Sequence, residues 1–279
     1  MNIAIAGASG FVGSFLKAYF VEKEYQVIAI PRATFLDEDA LQEIINWADV
    51  VINLAGESIL KRWSSSYKKK LLQSRVKTTM LLAEAMNRVD KEQLFISSSA
   101  IGIYENNLLC DEEDYIYGET FLSYMCQEWE KEAKRCHQRT VIFRLGVVLG
   151  DGGALHKMMR PFKAGLGGSI GDGSQAFSFV HIDDLARAYE HVILHDALEG
   201  VFNLSAPKSS TNAKFTKSLA KKLHRPALVP VPQIALKAVY GEGAQVLCEG
   251  QQVYPKRLLE SGFSFEYEDA QSVLEDLVE

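Results

Sequence analysis

The first residues able to do chemistry are glycines. Gly7-Ala8-Ser9-Gly10-Phe11-Val12-Gly13 follows the apolar run Ile3-Ala4-Ile5-Ala6. It leads into Phe11, Val12, Phe15, Leu16, Tyr19 and Phe20, apolar positions at helical spacing. Strand, glycine turn and helix, in that order, are the context in which a glycine pattern makes a dinucleotide site. The turn must be tight and the backbone must approach a pyrophosphate, so a Cβ would obstruct it. The first helical turn then offers unpaired N–H groups and a positive dipole end to that anion. Gly7, Ser9, Gly10, Phe11, Val12 and Gly13 are therefore candidate cofactor contacts. The spacing alone would be a weak signal, because any tight strand-to-helix turn can use glycine.

The end of the second strand bears on which dinucleotide fits. A site for NAD usually carries an acid there, to bind the ribose 2′-hydroxyl. Here the strand ends Ile30-Pro31-Arg32, and Asp37 and Glu38 come later. Arg32 can form a two-pronged pair with a 2′-phosphate. NADP(H) is thus the expected cofactor; a solvated surface arginine is the alternative reading.

The elements that must hold these residues belong to a chain of 279 residues. That length suits one large α/β domain, or one with a smaller appendage. With 47% hydrophobic and 24% charged residues, the composition is that of an ordinary soluble globule. A net charge of −6 argues against a nucleic-acid partner. No apolar run approaches the roughly 20 residues needed to span a bilayer, so no membrane partner is expected. Met1 leads straight into a strand without a basic leader, and a cytoplasmic location is expected. Cys110, Cys126, Cys136 and Cys248 form no C-x-x-C pair and read as reduced thiols. The six histidines are scattered, so no metal site is expected.

Strand candidates are Ile3–Ala6, Gln26–Ile30, Val50–Leu54, Leu94–Ser97 and Val141–Leu145. Helices lie between them. The clearest is Tyr67–Arg88, with Leu72, Val76, Thr79, Ala83 and Met86 on one face. Another runs from about Thr120 to His137. This alternation predicts an α/β fold, a Rossmann-like doubly wound parallel sheet covered on both sides. Residues 1–150 form the nucleotide-binding domain in this reading. After Gly150 the chain turns glycine-rich, from Gly152 to Gly173. A strand at Phe177–Val180, a helix from about Asp183 and a strand at Phe202-Asn203-Leu204 return 177–205 to the sheet. Residues 151–176 and 206–279, where the prolines gather, form a smaller, interleaved substrate-side domain.

Further segments fit the same plan. They are Val51-Ile52-Asn53-Leu54-Ala55-Gly56-Glu57, Ser97-Ser98-Ser99-Ala100-Ile101-Gly102-Ile103-Tyr104, Arg144-Leu145-Gly146-Val147-Val148-Leu149-Gly150 and Phe179-Val180-His181-Ile182-Asp183-Asp184. With the glycine turn, they resemble the extended and atypical short-chain dehydrogenase/reductases, the sugar-nucleotide epimerase type. Ser74-Arg75 and the Gly152–Met158 segment are similar to one "epimerase family" branch with its own C-terminal domain. The resemblance implies that Leu54, Ala55 and Gly56 pass beside the cofactor ribose. It implies that Glu57 and Arg62 lie near the nicotinamide half and the phosphates, and that Ser97 and Val147 line the cleft. Simple packing is the alternative for Leu54 and Val147, and solvent exposure for Glu57.

Catalysis in that superfamily usually needs a Ser or Thr, a Tyr, and a Lys four residues after the Tyr. The Tyr is the acid/base, and the Lys lowers its pKa and holds the ribose. The resemblance places Ser99 as the serine, hydrogen-bonded to the reacting oxygen. Tyr124 is the natural tyrosine by distance along the chain, with Tyr104 as a second candidate. Yet Glu128 and Leu108 stand four residues after them. No Tyr between Tyr104 and Tyr124 has the lysine. His181 reads as a structural hydrogen-bonding residue, Asp183 as a helix N-cap, and Lys157, Arg160 and Lys163 as a solvated face or a phosphate contact. The expected function is an NADP(H)-dependent oxidoreductase or epimerase on a small carbonyl or sugar-nucleotide-like substrate. A cofactor-binding sensor or scaffold without turnover is the alternative. Substrate is expected between Gly165–Gly173 and the C-terminal domain, facing Ser99.

Overall fold

A computed structural model describes residues 1–278. The strands are β1 (Asn2–Ala6), β2 (Gln26–Ile30), β3 (Val50–Asn53), β4 (Leu94–Ala100), β5 (Leu109–Cys110), β6 (Arg139–Leu145), β7 (Val147–Leu149), β8 (Ala176–Phe177), β9 (Phe179–His181), β10 (Gly200–Leu204), β11 (Ser210–Thr211) and β12 (Gln252–Val253). The helices are α1 (Phe11–Glu22), α2 (Glu38–Trp47), α3 (Ser65–Met86), α4 (Phe121–Ala133), α5 (Gly153–Lys163), α6 (Ile182–Leu194), α7 (Asn212–Lys222), α8 (Gln233–Tyr240), α9 (Gln245–Cys248), α10 (Lys256–Glu260) and α11 (Ala270–Leu277).

Six strands make the central sheet, in the order β10-β6-β4-β3-β1-β2, and every pair is parallel. Parallel pairing demands crossover helices, and these cover both faces. The alternation within each strand sorts the core into two layers. Ile3, Ile5, Ile52, Ile96 and Phe143 face α1 and α6 through Leu16, Phe20, Leu185 and Tyr189. Ala4, Ala6, Val51, Phe95 and Ile142 face the other way, onto Leu41 and Ile45 of α2, Leu82 and Met86 of α3, and Ala133 of α4. The chain runs outward from β1 to β2, then returns to place β3 on the opposite side of β1. That reversal opens a crevice at the carboxyl ends of β1 and β3, where ligands of open α/β sheets bind.

A separate apolar cluster joins the outlying strands to the C-terminal helices. Leu149, Phe179, Phe162 of α5, Phe215 and Leu219 of α7, and Val273 and Leu274 of α11 belong to it. Among the described residues no helix is long and apolar enough to cross a membrane.

Local differences from the sequence reading have local causes. The strand expected at Phe177–Val180 divides at Ser178, because β8 pairs with β11 while β9 pairs with β7. The Ser178 hydroxyl at the break donates to the Gln251 carbonyl at 2.8 Å. Asp183 is not the N-cap of α6. His181 is, with Nδ1 accepting the Asp183 N–H at 3.1 Å. Its Nε2 lies 3.2 Å from Asp276 Oδ2, and its ring stacks on Tyr267 at 3.7 Å. The tertiary fold thus gathers His181, Asp183 and Asp276, although the sequence suggested no such cluster. With Nδ1 engaged, the ring proton belongs on Nε2, where it ties α11 to the domain. Lys157, Arg160 and Lys163 lie exposed on α5.

Candidate functional site

The glycine turn caps β1 at the crevice. Gly7 has φ of 83°, and a Cβ there would come 2.7 Å from the Leu54 carbonyl carbon. A Cβ on Gly13 would come 2.2 Å from the Gly7 carbonyl oxygen. Both glycines are demanded by the protein's own backbone. Gly10 is different: its Cβ would meet only the Gly7 oxygen, at 3.3 Å, and the residue is exposed. No side chain caps α1. The free first-turn N–H groups and the open space over Gly10 fit a pyrophosphate. Ser9 is exposed on the same turn. Phe11 and Val12 contribute backbone to the cradle, but their side chains pack inward. The Phe11 ring fills the space beside Gly150 and Gly153, and Val12 packs on the sheet core.

Beside the cradle, β3 ends at Asn53, whose side chain donates to Thr79 Oγ1 at 2.7 Å and accepts the Ala55 N–H at 3.2 Å. Those bonds shape the Leu54-Ala55-Gly56 passage. Leu54 and Ala55 also pack on the two core layers. Gly56 is glycine for a reason the sequence hid: a Cβ would lie 2.9 Å from the Arg75 guanidinium. Arg75 donates to the Glu57 carbonyl at 3.1 Å and sits over Trp129, while its Nε has no partner. Burial pushes its pKa down.

Glu57 and Arg62 do not stand together. Glu57 Oε1 meets Arg32 at 3.3 Å and Lys70 at 3.2 Å. The Lys70 hydrogen bond, joined by the charges of Lys70 and Arg32, holds the Glu57 carboxyl below its ordinary range. Glu57 therefore lies beside Arg32, at the β2 side of the crevice. Arg62 leaves the crevice altogether. It donates to the Ala238 carbonyl at 2.6 Å and satisfies the last turn of α8. Trp63 adds a backbone bond to the Tyr240 carbonyl at 3.3 Å, and Lys68 pairs with Glu242. Residues 58–64 thus form a strap from the cofactor crevice to the C-terminal helices.

The strand ends hold a buried polar network. Ser97 is fully buried on β4. Val147 packs against the C-terminal cluster. The Ser99 hydroxyl donates to Glu130 Oε1 at 2.8 Å. Glu130 receives Arg144 Nε and Nη2, both at 2.7 Å. Arg144 Nη1 donates to the Tyr104 hydroxyl at 2.8 Å, which donates to Asn203 Oδ1 at 2.6 Å. Ser99, Tyr104, Glu130 and Arg144 are each at most 2% exposed. Burial raises the Tyr104 pKa, so that hydroxyl keeps its proton.

Helix α4 sets where Tyr124 stands relative to Ser99. Its face toward β4 carries the buried Cys126 and Glu130, and Glu130 accepts the Ser99 hydroxyl. One turn earlier, Leu122 packs over Gly102. The positions four apart that address this strand end are therefore Leu122 and Cys126. Burial pushes the Cys126 thiol up to about 12. Tyr124, two residues out of that frame, is 51% exposed on the outer side. It does not join Ser99, because a two-residue shift on a helix turns a side chain by about 200°.

Two adjoining cavities lie under the C-terminal helices. One of about 440 Å³ is lined by Gln233, Lys237, Glu242, Gln245 and Cys248, among others. The second, about 200 Å³, adds Asn106, Asp172 and Gln175 and shares Gln233, Cys248 and Glu249. Much of the glycine segment is closed against this domain: Ile170 bridges Val231, and Gly168 abuts Val229. The opening is at Asp172–Gln175. Sequence reasoning missed these lining residues, since nothing in their spacing marks them, and missed Lys70, which sits in a lysine run that reads as solvated.

Comparisons with known proteins agree with this architecture. The model of the NAD dependent epimerase/dehydratase family matches residues 3–205, and that of a domain of unknown function, DUF1731, matches residues 231–277. Mouse epimerase family protein SDR39U1 is 36% identical, with all of both chains covered. Epimerase family protein YfhF of Bacillus subtilis is 33% identical over 100% of this chain and 98% of its own. The crystal structure of human SDR39U1 (isoform 2) with NADPH superposes with a TM-score of 0.90 at 32% identity, over 99% of each chain. On these grounds the chain belongs to the NAD-dependent epimerase/dehydratase family, with the Rossmann-like fold of its short-chain dehydrogenase/reductase relatives.

Proposed function

We propose that this protein binds NADP(H) in the β1–β3 crevice and uses it as an oxidoreductase or epimerase on a small polar substrate. The carrying observation is the open cradle at Gly10, beside an uncapped helix start and a cationic β2 end. The NADPH of the human relative supports the choice of cofactor. When bound, the cofactor supplies hydride transfer, which needs chiefly alignment with the substrate carbon. The chain's part is to hold the pyrophosphate at Gly10–Gly13, the adenosine end at Arg32, and the substrate in the two pockets beside the C-terminal helices. The Asn, Gln and Lys groups there suit a substrate rich in hydroxyl or carbonyl oxygens, as a sugar-nucleotide-like molecule is.

Arg32→Ala should weaken NADP(H) binding by about 1–2 kcal/mol, the value of a charged hydrogen bond reduced for solvent screening. NAD(H) affinity should stay the same. Calorimetry with both cofactors checks this, and equal losses for the two would remove the 2′-phosphate role.

A second reading, an NADP(H) sensor without turnover, is favoured by the buried network. The Ser99 and Tyr104 hydroxyls are committed to Glu130, Arg144 and Asn203. NADPH consumption with panels of carbonyl compounds and sugar nucleotides separates the readings. Stimulated consumption marks an enzyme. Tight cofactor binding without it, together with cofactor-dependent protection of the 58–64 strap from hydrogen exchange, marks a sensor. In either case Ser99→Ala should cost about 1 kcal/mol of stability, one buried hydrogen bond, and leave any turnover within a few-fold. A loss of about 100-fold would return Ser99 to the reacting oxygen.

A further inference from the structure

The charges around Glu57 carry the NADP(H) reading, on which this inference rests, one step further. We propose that Lys70 is a second ligand of the cofactor's 2′-phosphate, and that Glu57 is a displaceable carboxylate that holds Arg32 and Lys70 ready for it. The three residues come from different parts of the chain: just after β2, the passage after β3, and the early turns of α3. Both cations meet the same oxygen, Glu57 Oε1, at 3.3 and 3.2 Å. They therefore face one another across a single atom. Among the described residues neither has another carboxylate within ion-pair distance. One negative charge serves two positive ones, and the cluster keeps a surplus positive charge.

A 2′-phosphate corrects that imbalance. It brings a charge of about −1.5 to −2 and three acceptor oxygens, enough to take both cations at once. A 2′-hydroxyl brings neither, so with NAD(H) the Glu57 pairs would stay closed. The Lys70 side chain is half exposed and that of Arg32 is 81% exposed, so both can swing to a ligand without unpacking anything. Glu57 is anchored behind them: its N–H donates to Ser74 Oγ at 3.0 Å and its carbonyl accepts from Arg75. It thus stays beside the phosphate it yields to, and its charge opposes that phosphate.

The test titrates wild type, Lys70→Met, Lys70→Arg, Glu57→Gln and Arg32→Ala with adenosine 2′,5′-bisphosphate, 5′-AMP, NADP⁺ and NAD⁺ by calorimetry. Lys70→Met should weaken the two 2′-phosphorylated ligands by about three- to fivefold, the upper range of a screened surface pair. 5′-AMP and NAD⁺ should change by less than twofold, and Lys70→Arg should keep most of the wild-type affinity. Glu57→Gln should bind the 2′-phosphorylated ligands several-fold more tightly than wild type. Equal losses for both ligand classes, or no loss, in Lys70→Met overturns the Lys70 assignment. Weaker NADP⁺ binding in a folded Glu57→Gln overturns the role of Glu57. If Arg32→Ala abolishes the 2′-phosphate preference and Lys70→Met does not, this inference fails while the NADP(H) reading stands. A wild type without that preference overturns both.

Discussion

Replacing Glu130 with alanine should destabilise the protein by about 3–5 kcal/mol, the cost of leaving one partner of a buried ion pair alone. Glu130 and Arg144 are almost fully enclosed and meet through two bonds of 2.7 Å. Burial disfavours the Arg144 charge, yet Glu130 and Tyr104 raise its pKa above the ordinary value. Without the carboxylate, a guanidinium is stranded between Tyr104 and Tyr115, whose rings lie within 5.2 Å. Ser99 loses its acceptor in the same step. Urea unfolding gives the number, and a loss below about 1 kcal/mol would mean that water or another group replaces the pair. The network links β4, α4, β6 and, through Asn203, β10. Its loss should therefore appear in slowed exchange becoming fast across all four elements.

Gly10→Val should abolish NADP(H) binding, a loss of more than about 100-fold, while leaving the fold intact. A Cβ on Gly10 meets one protein atom, the Gly7 carbonyl oxygen at 3.3 Å, so that turn needs to give by only a few tenths of an ångström to keep the fold. The branched side chain would instead fill the space that a pyrophosphate must enter. Gly13→Val should behave oppositely. Its Cβ would sit 2.2 Å from the Gly7 oxygen, so α1 must move off β1 and the protein should melt several degrees lower or fail to accumulate. Retention of NADP(H) by Gly10→Val through gel filtration would put the cradle elsewhere. The pair of variants separates a glycine kept for a ligand from one kept for packing.

The residues differ in how far the chain's order alone revealed them. The sheet strands were legible because each is a short apolar run between helices, and burial on both faces leaves no other composition workable. The glycine turn was legible because its constraint is local: Gly7, Gly10 and Gly13 act within one turn of chain. Arg32 was legible by its place at the end of β2. The NADP(H) expectation needed no more than that.

Which side chains face Ser99 was not legible, and the reason is geometric. Distance along the chain favoured Tyr124, but a helix converts a two-residue shift into the opposite face, and only docking on β4 sets which face is inward. That docking put Cys126 and Glu130 against Ser99 and left Tyr124 outside. Nothing in Trp129-Glu130-Lys131-Glu132 marks Glu130 as buried; Arg144, on a different element, encloses it. The family resemblance implied that Arg62 lies near the cofactor, and chain order gave no sign of its partner. In the fold it donates to the end of α8, 176 residues later. Lys70 was hidden in Lys68-Lys69-Lys70, where spacing cannot say which lysine meets Glu57. The sequence by itself determined the α/β architecture, the dinucleotide turn and the cationic β2 end, since each rests on neighbours in the chain. The tertiary structure alone decided which hydroxyls are locked, which glycine is free and which cations share a carboxylate, since each depends on contacts between distant elements whose faces packing selects.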